Sequence, residues 1–256
     1  MWTPPPRTRA ANIVATTIVL LASVYAAPGH AQPPLFLGRG PGNVALNIAI
    51  LNGARNALDA QVSAALEAAM ARSGHAAAPA AAAPPVALTY EPDARLTDWT
   101  RLSMIETLSQ GNSEVRARLQ ESFAGNAVLE DFDSYMSHRG YSSHNVADDM
   151  AEMLLVSWQI ATDGKATDSQ ARGVHAQTQS AFVNNAALRT LTPADRQLMA
   201  ERIAYRVILS SSAREEFLRN GDRDQRAQLK ESSATMLREQ GIDAAKVHLT
   251  DEGFRE

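Results

Sequence analysis

One long apolar segment constrains the fold of this chain more than any other feature. It spans residues 143–164 and reads S-H-N-V-A-D-D-M-A-E-M-L-L-V-S-W-Q-I-A-T-D-G. On a helix, most of its circumference is covered by apolar side chains, namely Val146, Met150, Met153, Leu154, Leu155, Trp158 and Ile160. A helix that is apolar on so much of its surface is usually buried by neighbours on several sides. The sequence therefore predicts the central helix of an α-helical domain.

The chain from Leu88 onward shows helical periodicity and helix start signals. Thr97 is a predicted cap for a helix whose Leu102, Ile105 and Leu108 face inward. Residues 192–195, T-P-A-D, form a strong helix start with threonine as the cap and proline in the first turn. Only residues 246–250 alternate like a short extended piece. We predict an all-α fold, a single orthogonal bundle of about six to seven helices preceded by a tethered N-terminal helix.

The N-terminal residues 1–31 have the features of a secretory signal peptide in the expected order. Arg7 and Arg9 precede an apolar run at 13–25, and G-H-A at 29–31 is a small-x-small cleavage signal. The apolar run of roughly 13–15 residues is short against the ~20 that span a bilayer. We expect cleavage after Ala31, no stable transmembrane anchor afterwards, and a periplasmic or secreted protein of bacterial origin.

Four further segments follow the predicted signal peptide. Residues 32–42 are rich in proline and glycine and predict an irregular lead-in. Residues 43–72 have the apolar spacing of an amphipathic helix, and residues 73–87 form an alanine- and proline-rich linker. Residues 88–256 are the predicted helical domain. The tethered helix either mediates docking or self-association, or it packs back on the domain.

Composition excludes several classes of function. The net charge is −4, and removal of residues 1–31 takes away two arginines and no acid, which leaves −6. A chain of this charge lacks the basic surface that nucleic-acid binding requires. There is no cysteine, so neither disulfides nor thiol chemistry are available.

No metal or cofactor site is predicted. The histidines of the domain are scattered without the i, i+4 spacing of metal ligands; they are His138, His144, His175 and His248. Glycine motifs that cradle phosphates are also absent from the sequence. We therefore expect no cofactor and no bound metal.

Three acids form the polar stripe of the central segment: Asp148, Asp149 and Glu152. The simplest interpretation is a solvated face whose acids favour the positive end of the helix dipole. If neighbours cover the stripe instead, clustered like charges raise at least one pKa, as they do at acid–base sites. We assign no catalytic residue, and these three acids are candidates only.

Glu201 is the fourth candidate acid. It falls between Tyr205 and Ile208 on a helical wheel, so we expect it to be partly buried. A buried acid requires a partner, and Arg172, Gln177 or Gln179 are the predicted ones. A structural role is the simpler interpretation.

Short motifs resemble a family of exported, helical bacterial proteins known only as a domain of unknown function. They are L-T-Y-x-P at 88–92, N-V-A-D at 145–148 with Trp158 downstream, Q-L-M-A-E at 197–201, and L-T-x-x-G-F at 249–254. The resemblance covers the main domain. It implies an exported helical domain, and it carries no catalytic residues over.

The leading functional hypothesis is a non-enzymatic binding or interaction module. Its partner is an unknown protein in the cell envelope or outside the cell, and residues 43–72 are available for self-association. One alternative is a cell-envelope hydrolase that uses a carboxylate pair drawn from the four candidate acids. The other is a carrier of lipid or a small ligand in a cavity lined by Met150, Met153 and Trp158, for which a filled core is the simpler interpretation.

Overall fold

The computed structural model describes residues 87–185, 188 and 191–256. The predictions for residues 1–31, 32–42 and 43–72 lie outside the described residues, as does the linker at 73–87 except for Ala87. The described part contains seven helices: α1 Ala94–Ser109, α2 Ser113–Ser122, α3 Ala127–His138, α4 Val146–Thr162, α5 Asp168–Val183, α6 Pro193–Asn220 and α7 Arg223–Glu239. A two-stranded hairpin follows, β1 His248–Thr250 and β2 Gly253–Arg255. The prediction of an all-α fold is confirmed.

Helix α4 is the predicted central helix, and it is buried on most of its surface. Asn145 caps it by accepting a hydrogen bond from the backbone N–H of Ala147. Helices α5, α6 and α7 all pack against it. Its apolar side chains lie in the main core, which includes Val146, Met150, Met153, Leu154 and Leu155.

Helices α5 and α6 both begin with a capping box. Thr167 and Gln170 exchange hydrogen bonds at the start of α5, and Thr192 and Asp195 do so at the start of α6. Pro193 occupies the first turn of α6, as its sequence predicts. These local signals give the two helices that pack on α4 defined starting points.

A second apolar cluster joins α1, α2 and α3 to α6. Ile105 and Leu108 of α1 are buried there, together with Tyr205 of α6. The prediction for Leu102 is wrong, because its side chain is 53% exposed. Met104, Ile105 and Leu108 define the buried face of α1. Leu102 lies two residues before Met104 and therefore points away from that face.

The C-terminal hairpin packs on α5 and is part of the core. Its strands are antiparallel, with Leu249 opposite Phe254, and both side chains are buried. Gln177 of α5 accepts a hydrogen bond from the Phe254 backbone N–H at 2.9 Å and donates one to the Phe254 carbonyl at 3.2 Å. Of the extended piece predicted at residues 246–250, residues 248–250 form strand β1, and Lys246 lies in a turn.

No helix in the described part of the chain combines the length and the apolar composition that a membrane crossing requires.

Gly173 allows the hairpin to approach α5 closely, and we predict that Gly173→Ala destabilises the protein. An added Cβ would lie 2.5 Å from both the Asp251 carbonyl oxygen and the Gly253 nitrogen. Alanine improves helix propensity by about 1 kcal/mol, but backbone atoms cannot move aside as a flexible side chain can. We expect a net loss of about 1–3 kcal/mol, measured as a lower midpoint of thermal unfolding.

The matched control is Gln179→Ala, at an exposed position of the same helix. It should change stability by less than about 0.5 kcal/mol. A Gly173→Ala variant that melts at or above the wild-type temperature would show that the hairpin does not need this close approach.

Candidate functional site

The structure buries three of the four candidate acids. Asp149 and Glu152 of α4 are 0% exposed, and Glu201 of α6 is 5% exposed. Asp148 is partly buried. The interpretation of the α4 stripe as a solvated face is therefore wrong for Asp149 and Glu152. The physical reason for Glu152 is that α5 and the end of α3 contribute the side chains that surround it. Asp149 lies near Tyr90, which the segment before α1 contributes.

Glu152 is the centre of a buried polar network. Its Oε1 accepts a hydrogen bond from the Tyr135 hydroxyl at 2.5 Å, and its Oε2 lies 3.5 Å from Arg139 Nη2. On its other side, Oε2 lies 3.6 Å from His175 Nε2. The second ring nitrogen of His175, Nδ1, is 3.3 Å from Asp148 Oδ1. We call Tyr135, Asp148, Glu152 and His175 the α4 network.

His175 connects the two acids of the α4 network. Asp148 and Glu152 are separated by four residues and so lie on one face of α4. The His175 ring is held between them by Tyr141, which stacks on it with ring centroids 3.4 Å apart. Burial lowers the pKa of His175, but the hydrogen bond to Asp148 and the adjacent Glu152 carboxylate outweigh it, so the pKa lies above its ordinary 6.5.

The α4 network does not have the geometry of a metal site. The two carboxylates contact opposite nitrogens of one ring, so the three side chains do not converge on a common point. Among the described residues, no group of three histidine, aspartate or glutamate side chains is arranged to hold a metal ion. The network provides the buried Glu152 carboxylate with a hydrogen-bond donor and with neighbouring basic side chains.

Asp149 has no such partners. Neither of its carboxyl oxygens has a hydrogen-bond partner within the described residues. Burial raises its pKa well above the ordinary 3.8, and the neighbouring charges of Asp148 and Glu152 raise it further. A neutral, protonated carboxyl is the form that this position favours.

Glu201 lies apart from the α4 network and has partners on α1 and on its own helix. Its Oε1 accepts hydrogen bonds from the Thr97 hydroxyl at 2.5 Å and from Gln197 Nε2 at 2.8 Å. The expectation of burial is confirmed, and the predicted partners on α5 are wrong. Gln177 binds the Phe254 backbone instead. The reason is that α6 meets α1 at this level, and α1 supplies the hydroxyl.

Gln197 fixes the start of α1 against α6. Its Oε1 accepts a hydrogen bond from the Asp93 backbone N–H at 2.8 Å, and its Nε2 lies 2.9 Å from the Asp93 carbonyl oxygen. Asp93 is the residue that caps α1. These two hydrogen bonds between the Gln197 side chain and the Asp93 backbone align the start of α1 with α6. Thr97 and Glu201 each lie one helical turn further along their helices, so the same alignment brings them together.

The second oxygen of Glu201, Oε2, has no hydrogen-bond partner among the described residues. Arg202, the next residue, does not supply one, since its guanidinium lies over the ring of Trp99, 5.4 Å from the centroid. Glu201 also forms part of the wall of a cleft of about 390 Å³ between α1, α3 and α6. We call this the Glu201 cleft.

The walls of the Glu201 cleft are partly aromatic and strongly acidic. Tyr90, Phe132 and His144 contribute rings, and Glu130 and Asp133 add two carboxylates to that of Glu201. No lysine or arginine of the described residues lines the cleft.

Tyr90 is held in the cleft wall by an extended segment that pairs with the start of α4. The Tyr90 backbone N–H donates to the His144 carbonyl at 3.2 Å, and its hydroxyl donates to the Ser143 carbonyl at 3.1 Å. The Val146 N–H donates to the Leu88 carbonyl at 3.1 Å. Burial raises the pKa of Tyr90, and the nearby carboxylates of Glu201 and Asp133 raise it further. The hydroxyl therefore stays protonated, in a negative electrostatic environment.

A second cleft of about 400 Å³ opens at the exposed end of the α4 network. Tyr135 and Arg139 line it, with Arg214 and the acids Asp168 and Glu215. None of the four candidate acids lines this cleft. Its charges are balanced in sign, in contrast to those of the Glu201 cleft.

The chain belongs to the family of unknown function DUF6683, whose model matches residues 10–255. The resemblance to a domain of unknown function is thereby confirmed. No curated protein and no solved structure matches the chain. Two of the segments that carry the resemblance, 88–92 and 197–201, contribute lining residues to the Glu201 cleft. A third, 145–148, pairs with Leu88.

The sequence did not identify Thr97, Gln197 or Tyr135 as members of these sites. Thr97 and Gln197 are 100 residues apart, and their contact depends on how α1 crosses α6. Tyr135 lies beside the buried Phe132 and Met136 in the apolar pattern of α3, which is also typical of a core residue. No local signal distinguishes these three residues.

We predict that Asp149→Asn stabilises the protein, and more so as the pH rises. Because the folded state raises the pKa of Asp149, it binds this proton more tightly than the unfolded chain does. Above the unfolded pKa, keeping the proton costs the folded state about 1.4 kcal/mol for each further pH unit, until the folded pKa is reached. The amide is neutral at every pH and avoids this cost. We expect a higher melting temperature at pH 8 and a smaller gain at pH 5.

Asp148→Asn is the matched control one residue earlier. It replaces the carboxylate beside His175 with a neutral amide, and so removes one of the charges that raise the pKa of His175 on folding. That contribution is fully present below pH 6.5 and is lost as the pH rises through the folded pKa. Asp148→Asn should therefore lower the melting temperature most at about pH 6 and below. If Asp149→Asn destabilises the protein at pH 8, Asp149 has a partner and the interpretation is wrong.

Proposed function

We propose that this protein is an exported, non-enzymatic binding module of the periplasm or the extracellular space, and that the Glu201 cleft is its ligand site. Export rests on the basic, apolar and small-residue order of residues 1–31. Binding rests on one observation, the buried Glu201 carboxylate whose Oε2 has no partner within the described residues.

The unpartnered oxygen supports a binding role because burying a polar atom without a hydrogen bond is costly. Such an atom costs roughly 1–3 kcal/mol of stability. Glu152, at a similar depth, is surrounded by Tyr135, Arg139 and His175. The Oε2 of Glu152 also lacks a hydrogen bond within the described residues, but Arg139 and His175 lie 3.5 Å and 3.6 Å from it. Glu201 lines a cleft, and its Oε2 has no hydrogen-bond partner within the described residues. A ligand that donates a hydrogen bond there recovers the cost on binding.

The four candidate acids do not form the carboxylate pair that the hydrolase alternative requires. A glycosidase-like mechanism needs two carboxylates that flank one accessible bond. Among the four candidate acids, only Glu201 lines a described cleft. Asp148 and Glu152 both contact the ring of His175, and Asp149 is fully buried.

The carrier alternative has no cavity to support it at the predicted residues. Met150 and Met153 are 4% and 7% exposed and belong to the main core. Neither they nor Trp158 line either of the two described clefts. These side chains fill the core, which is the simpler of the two interpretations of their pattern.

We predict that filling the mouth of the Glu201 cleft abolishes ligand binding without unfolding the protein. Ser134 is exposed and lines the cleft, so Ser134→Trp places a large ring there. A screen of chemically diverse fragments by NMR should give wild-type shifts at cleft residues such as Tyr90. Those shifts should vanish in Ser134→Trp.

Ser137→Trp is the control, since Ser137 is exposed on the same helix and lines neither cleft. It should leave fragment binding intact. Fragments that bind elsewhere, or that bind Ser134→Trp as well as the wild type, would remove the cleft as the ligand site.

We further propose that residues 43–72 mediate self-association. Their amphipathic pattern and the proline-rich linker after them support this role. Deletion of residues 43–72 should lower the mass measured by light scattering to that of a single chain. An unchanged oligomeric state would exclude this role.

A further inference from the structure

We propose that the Glu201 cleft recognises an organic cation, an ammonium or guanidinium group on an aliphatic chain, with Glu201 as its anionic partner. This inference rests on the proposed function, which makes the cleft a ligand site. It adds the chemical class of the ligand.

The first support is the charge of the cleft. Glu130, Asp133 and Glu201 line it, and no lysine or arginine of the described residues does. An anionic ligand, such as a phosphate or a carboxylate, would be repelled by all three acids. A cation is attracted by all three, and their effects add because the cleft walls have a low dielectric constant.

The second support is the state of Glu201. Thr97 and Gln197 hold Oε1 in place. The hydroxyl of Thr97 has one hydrogen, and its short contact with Glu201 at 2.5 Å takes precedence over the longer one with the Asp93 carbonyl at 3.3 Å. The carboxyl group is thus oriented before any ligand arrives. Its Oε2 lacks a donor within the described residues and is itself shielded from solvent. A small turn of the carboxyl toward the cleft lets an N–H of a cation supply a charge-assisted hydrogen bond.

The third support is the mixture of acids with apolar and aromatic walls. Tyr90 and Phe132 are buried rings in the lining, and Leu129 and Ala204 add aliphatic surface. Ammonium and guanidinium groups bind favourably over aromatic faces. The methylene stem of such a ligand packs on apolar surface while its charged end reaches the acid.

A metal ion fits the cleft less well. Hard divalent cations need several converging oxygen ligands. Of the three acids, Glu130 and Asp133 are exposed on α3, and Asp133 accepts a hydrogen bond from the Ser143 hydroxyl at 2.6 Å. The described residues contain no group of acids and histidines arranged around one point.

Two sources provide this chemistry: a free amine of low molecular mass, and a lysine or arginine side chain of a protein. Isothermal titration of the full chain distinguishes them with two cationic probes, agmatine for the free amine and N-acetyl-lysine methylamide for the side chain. N-acetyl-norleucine methylamide has the same stem without the charge and serves as the neutral control. The tighter cationic probe identifies the source.

We expect at least one cationic probe to bind at least tenfold more tightly than the neutral control. Glu201→Gln should weaken that binding at least tenfold, because it removes the charge and keeps an oxygen that accepts from Thr97 and Gln197. Glu121→Gln changes an exposed acid of α2 outside the cleft, and it should bind like the wild type. If Glu201→Gln fails to fold, Asp133→Asn at an exposed position provides the second variant, with a smaller expected loss of affinity.

The outcomes separate this inference from the proposed function. Equal binding of the cationic and neutral probes at the cleft overturns the cation class and leaves the binding module intact. Binding of neither overturns the inference, and the fragment screen with Ser134→Trp then decides on the cleft itself. Cation binding that Glu201→Gln does not weaken overturns the role of Glu201.

Discussion

The burial of helix α4 on most sides is the constraint on which the rest of the structure depends. Its apolar side chains bring α5, α6 and α7 against it, and the same helix carries three acids near its start. A core that closes around α4 must therefore also accommodate carboxyl groups. The cost of a buried, unpaired charge is several kcal/mol, so each acid needs a partner or a proton.

The chain uses both solutions on neighbouring residues. Glu152 is paired, since Tyr135, Arg139 and His175 surround it. Asp149 has no partner in the described part of the chain and favours the protonated form. The α4 network is thus a consequence of packing, and its histidine and carboxylates do not imply catalysis. Glu201 differs from both because it lines a cleft, where only one of its oxygens accepts a hydrogen bond within the described residues.

Local signals made much of the fold predictable, and distant contacts made the sites unpredictable. The caps at Asn145 and Thr192 and the apolar surface of α4 depend on residues within a few positions of one another. Whether Glu152 is exposed to solvent or buried depends on α5 and on the end of α3, and Asp149 lies near Tyr90. A helical wheel of α4 contains none of these neighbours. The same holds for Leu102, whose exposure is decided by which side of α1 meets α2 and α6. The burial of Glu201 followed from its apolar neighbours, but its partner Thr97 is 104 residues away.

The extended segment at residues 88–90 places one side chain, that of Tyr90, near both an acid of α4 and the acid of α6. By pairing with residues 144–146, it covers the start of α4 and brings Tyr90 near both Asp149 and Glu201. Tyr90 lines the cleft together with Glu201, whereas Asp149 does not line it. Closing the core over α4 therefore also builds a wall of the cleft. A ligand cation in that cleft would be stabilised by Glu130, Asp133 and Glu201, beside the wall that pairs with the start of α4. This links the organising helix to the proposed function.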